Sequence, residues 1–90
     1  SQWTRASWRM SDKFPQLPFR KVRRVLEYLG CVFVRRKKGS HCRFRRGDCI
    51  FSLQDQGKTE IPEGTVRSAL DAAEITRKQY IQAYKEVFKK

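Results

Sequence analysis

Residues 31–54 read CVFVRRKKGSHCRFRRGDCIFSLQ, and three segments within them, CVFVRR, HCRFRR and CIFSLQ, alternate side-chain character with a period of two. KKGS and Gly47-Asp48 lie between these segments and are turn-prone. The pattern predicts three antiparallel strands in a meander of two hairpins. Pairing carried straight across both turns sets Arg36 opposite His41 and Arg46 opposite Cys49. One face then carries Cys31, Phe33, Cys42, Phe44, Cys49, Phe51 and Leu53 and forms the core. The other carries Val32, Val34, Arg36, His41, Arg43, Arg45, Ile50 and Ser52. All three cysteines fall among the phenylalanines, where thiols behave as small hydrophobes, and His41 points the opposite way.

Working outward, the Pro-punctuated stretch FPQLP ends at Pro18 and a helix follows it. Phe19, Val22, Val25, Leu26 and Leu29 recur at three and four, and Gly30 supplies the stop. Beyond the sheet, DQGKTEIP is a loop. EGTVRSALDAAE then places Val66, Ala69, Leu70 and Ala73 at helical spacing, with Gly64 or Thr65 expected at the N-cap. Thr76 with Gln79 three residues later is a capping-box signature for a final helix bearing Tyr80, Ile81, Tyr84, Val87 and Phe88. The expected fold is α+β, ordered α-β-β-β-α(-α), with a three-stranded antiparallel sheet and helices on one face. Residues 14–90 form the expected single domain. Residues 1–13 open with SQWTRASWR, which has both tryptophans and no apolar periodicity, and are expected to be a flexible tail or an appended leader.

Charge narrows the function. Residues 1–46 hold 14 Lys/Arg against two acids, whereas residues 47–90 hold seven of each sign, so the net charge of +12 belongs to the first half. A basic block in a folded context favours a nucleic acid or an anionic membrane; a merely solubilising face is the plain alternative. No apolar run approaches the ~20 residues of a membrane span. Three cysteines without paired spacing suit reduced thiols and a cytoplasmic address better than a disulfide framework. A Cys/His zinc site needs converging ligands, and neither a C-x-x-C nor a shared face offers them, so no metal or other cofactor is expected.

Nucleophile elbows, Walker loops, dinucleotide fingerprints and clustered carboxylates are missing. One reaction remains open to a lone histidine without a metal: cleavage of RNA, where the substrate's 2′-hydroxyl is the nucleophile. The enzyme then supplies a base, cations for the charge developing on phosphorus, and in-line positioning. Residues 35–46, RRKKGSHCRFRR, hold seven cations and the only histidine, so base and cations share one hairpin. The competing view is an ordinary surface histidine in a basic hairpin.

Several of these segments carry a family resemblance. A helix, Gly30, the strand and turn CVFVRRKKGSH, two more strands and then IPEGTVRSALDAAEIT resemble the HicA toxins of bacterial toxin-antitoxin pairs, over roughly Leu17 to Tyr80. Its most specific parts are Gly39-Ser40-His41 after a basic strand, and Gly64-Thr65-Val66-Arg67-Ser68 opening the next helix. The resemblance implies a double-stranded-RNA-binding-like fold and metal-independent cleavage of mRNA through His41 as general base and acid. It also implies neutralisation by a HicB-type antitoxin covering the site. On this reading Arg36, Lys37, Lys38, Gly39, Ser40, Arg43 and Arg45 bind RNA, and Val32, Val34, Ile50 and His41 meet the antitoxin. Cys42 stands where many relatives have a second histidine. The last helix runs beyond the usual end through AYKEVFKK, an extension open to three readings: dimerisation, extra core or a partner surface. Two other readings are a non-catalytic RNA-binding domain of double-stranded-RNA-binding type and a protein-interaction module using Val32, Val34 and Ile50.

Overall fold

A computed structural model describes residues 14–89; the segment expected to be a tail lies outside the described residues. Helix α1 spans Phe19–Tyr28, strands β1, β2 and β3 span Val32–Arg36, His41–Arg46 and Cys49–Gln54, and helices α2 and α3 span Glu63–Ala73 and Arg77–Val87. The strands form one antiparallel sheet in the order β1-β2-β3. This is the α-β-β-β-α-α order that the hydrophobic periodicities imply.

Each helix starts and stops for a local reason. Pro18 precedes α1, where a missing N–H costs nothing, and its carbonyl accepts from Lys21 and Val22. At the other end Gly30 takes φ +94°, Gly30 N–H donates to Glu27 O and Cys31 N–H to Leu26 O, a Schellman closure that only glycine adopts without cost. Helix α3 opens on the expected capping box: Gln79 N–H donates to Thr76 Oγ1 at 3.1 Å and Thr76 N–H to Gln79 Oε1 at 2.8 Å. Helix α2 departs from expectation. It begins at Glu63 after Pro62, with no side-chain cap, and Thr65 sits inside the first turn with its N–H on Pro62 O. Proline satisfies the helix start through its fixed φ and free carbonyl, so neither Gly64 nor Thr65 is needed as N-cap.

The second hairpin pairs as expected, Arg46 with Cys49 through His41 with Gln54. In the first hairpin the ladder shifts between Phe33 and Arg35, so Arg36 pairs with Cys42 and not with His41. Val34 is the extra residue of this β-bulge. Straight pairing would have placed Arg35 in phase with Phe33, opposite Cys42 and facing the core. The bulge turns Arg35 to the open face opposite Arg43, and carries Arg36 to the helix side, where its Nη2 reaches Asp55 Oδ2 at 2.7 Å.

The core lies between the sheet and the helices. α2 packs along β3, α1 against β1, and α3 mainly on α1. Phe44 occupies its centre, stacked on Phe51 at 5.5 Å, edge-on to Phe33 at 5.5 Å and tilted to Phe19 at 6.1 Å. Arg23 covers the half-buried Phe33, its guanidinium 4.1 Å from the ring centre. Tyr80 of α3 is fully buried and stacks on Phe14 at 5.3 Å, so the stripe on the last helix is core. Burial raises the Tyr80 hydroxyl well above its ordinary range.

Arg46 ties the layers together. Its Nε donates to Leu29 O at 3.0 Å and its Nη1 to Ala73 O at 3.0 Å and Glu74 O at 3.4 Å. One cation thereby serves the carbonyl ends of both α1 and α2, where the helix dipoles place negative charge. It also holds Glu74, a non-glycine residue at φ +61°, in the left-handed conformation that closes α2. Arg46→Met, which keeps the apolar stem, should lower the unfolding free energy by about 2 kcal/mol, the scale of hydrogen bonds to a charged group. Urea denaturation will measure this. In the same assay Thr76→Ala should cost about 1 kcal/mol as a lost cap, while Thr65→Ala changes stability by only a few tenths.

Candidate nucleic-acid interface

The face of the sheet turned away from the helices is built rung by rung from the register. Val32, Arg45 and Ile50 form one rung, Arg35, Arg43 and Ser52 the next, and His41 and Gln54 the last. None of these positions is acidic. Val32 and Ile50 are 49% and 56% exposed, and Val34 at the bulge is 45% exposed, so an apolar end of the face adjoins a cationic one.

The Lys37–Ser40 connection is pinned from several sides. Gly39 turns at φ +74°, Lys37 N–H donates to His41 O at 2.6 Å, and Asp55 N–H donates to Ser40 O at 2.7 Å. Gln54 Nε2 donates to Ser40 Oγ at 3.2 Å. Asp55 is itself held by Arg36 and by Gly57 N–H at 2.9 Å, and these bonds keep its carboxyl below the usual range. The backbone that carries His41 is thus fixed, while its exposed imidazole makes no hydrogen bond to another described residue. That is the arrangement a proton-transfer group needs: a rigid strand position with its nitrogens left for substrate.

The candidate residues divide accordingly. His41, Arg43 and Arg45 share the open face, with Lys37, Lys38, Gly39 and Ser40 in the adjoining turn. Arg36 does not join them, because its register lies with Cys42 and its guanidinium with Asp55. Arg35 takes the open-face position instead, a residue the straight pairing hid.

The cysteines stand apart from the histidine. Cys31 and Cys42 are buried and Cys49 is half-buried, all free and on the core side. Burial pushes the Cys31 thiol up to about 11 against the opposing pull of Arg46, and burial likewise raises Cys42, whose thiol donates to Ser40 O at 3.7 Å. Among the described residues no group of three or more His, Cys, Asp or Glu side chains converges as a metal site. No described helix is long and apolar enough to cross a membrane.

The fold and this face define a small basic α+β domain whose cations surround a single histidine on an open sheet. The family model described as HicA toxin of bacterial toxin-antitoxin matches residues 19–75, well over half of the chain, and the chain belongs to that family. It is therefore a toxin of a toxin-antitoxin system with a cognate antitoxin, in a family whose members are generally ribonucleases. No curated protein and no solved structure matches the chain. The matched segment ends at Ile75, before α3, so the helix that buries Tyr80 lies outside it.

Two measurements check this geometry. Because the folded-state carboxyl of Asp55 is depressed, its pairing stabilises the fold above about pH 4 and fades as pH falls through the lowered value. Asp55→Asn should remove that part of the acid sensitivity in denaturation curves taken below about pH 5. With a thiol reagent near neutral pH, Cys49 should react first, and Cys31 and Cys42 only at the rate of unfolding.

Proposed function

We propose that the protein is a metal-independent endoribonuclease that cleaves mRNA, with His41 as the proton-transfer residue. The observation that carries this reading is the unpartnered imidazole of His41 on a fixed strand, within a sheet face that has cations and no carboxylate. Neutral His41 takes the proton of the substrate 2′-hydroxyl as that oxygen attacks the neighbouring phosphorus. The bond to the 5′-oxygen breaks, and the protonated imidazole returns the proton to that leaving oxygen. The products are a 2′,3′-cyclic phosphate and a 5′-hydroxyl. Lys37 and Lys38 offset the charge that gathers on the phosphoryl oxygens at His41, Arg43 and Arg45 contact the RNA backbone beside it, and the Gly39-Ser40 turn lets the backbone approach the phosphate closely.

A HicB-type antitoxin fits the same face. Val32, Val34 and Ile50 present apolar surface beside His41 and the arginines, so acidic and apolar groups on the antitoxin would cover the site and exclude RNA. Substrate and partner together place its action in the bacterial cytoplasm.

His41→Ala should slow cleavage by about 10² to 10⁴ while leaving the fold and the salt dependence of RNA binding nearly unchanged. The assay is cleavage of a labelled RNA by the purified full chain in excess chelator. Equal rates for variant and wild type would remove His41 from the chemistry. Salt-sensitive RNA binding without any cleavage would favour a binding domain.

A further inference from the structure

The bulge at Val34 creates a pair of charges that the fold leaves unanswered. Arg35 and Arg43 face each other across β1 and β2, where like charges oppose folding. Neither guanidinium makes an ion pair or hydrogen bond with another described residue, and Nε of Arg43 is shielded from water with no partner at all. Elsewhere in this hairpin the fold does answer its arginines: Arg36 has Asp55, and Arg46 has three carbonyls. An anion held between the two guanidiniums offsets their repulsion.

We infer that Arg35 and Arg43 form a second phosphate subsite, which holds a phosphate of the bound RNA other than the one at His41. The Arg43 rung lies two residues along β2 from His41, about 7 Å at the rise of a strand. That separation suits neighbouring phosphates of a single extended strand. Two guanidiniums converging from adjacent strands can both donate to one phosphate and so fix the register of the chain relative to His41. The substrate is then a strand with at least two consecutive phosphates, threaded along β2. This inference builds on the ribonuclease reading for the identity of the ligand, but its test does not need cleavage.

The experiment measures affinity in the non-cleaving His41→Ala full-length protein. The ligands are short single-stranded RNA oligonucleotides of one sequence, each with a different internal phosphate replaced by a neutral methylphosphonate. One position should stand out, with Kd raised by about tenfold, the scale of one charge-assisted hydrogen bond. Adding Arg35→Gln or Arg43→Gln should weaken binding of the unmodified oligonucleotide and erase that position's excess. Melting temperatures at or above that of the parent will show that these variants stay folded, as expected when facing like charges are reduced. Equal sensitivity at every phosphate, or an excess that survives both substitutions, overturns the subsite even if the wild-type protein cleaves RNA. An excess that vanishes with Arg35→Gln in a chain whose wild type never cleaves keeps the subsite and removes the nuclease reading.

Discussion

Arg46 is the point at which sheet and helices are held in register. Its side chain leaves β2 on the core side and meets Leu29 at the end of α1 and Ala73 and Glu74 at the end of α2. Two helix C-termini bring exposed carbonyls and negative dipole ends to one place, and only a cation with several diverging donors answers both. Because Arg46 is the last residue of β2, the same contacts set how the sheet lies over α1 and α2. With the helices drawn to one side, the other side of a three-stranded sheet is left bare.

That bare side is where the proposed function lies, and the fold sorts the basic hairpin around it. Seven cations crowd residues 35–46, yet they do three different things. Arg46 is structural, Arg36 anchors the loop through Asp55, and the remainder lie on the open face or in the turn beside His41. The high charge of the segment therefore overstates the positive field available to a polyanion, although no acid on the open face opposes what remains. The apolar residues Val32 and Ile50 at the far end of that face give it two characters, which suits the proposal that one surface meets both an RNA and a protein inhibitor.

Alternation of Cys42, Phe44, Phe51 and Leu53 against His41, Arg43, Arg45 and Ile50 identified the buried and open faces correctly, since a period of two leaves little freedom once one face must be dry. The capping box at Thr76 and the stop at Gly30 were equally legible, because they depend on neighbours in the chain. The start of α2 was misplaced for the same local reason: a proline at position 62 supplies a helix start that the Gly-Thr pair had been credited with.

The sequence by itself determined the order of elements, most of the core apart from Phe14, Leu17, Ile61 and Ile75, the sheet face that holds His41, and membership of a toxin family through motifs that sit in one hairpin and one helix start. Tertiary structure alone decided which arginines accompany the histidine. Straight pairing and bulged pairing of VFVRR are both compatible with the local pattern, and the choice between them turns on distant groups. The bulge puts Arg36 opposite Cys42, where it meets Asp55, 19 residues away in the chain, and turns Arg35 to the open face. A charge-assisted contact across the fold is not contained in a short-range pattern.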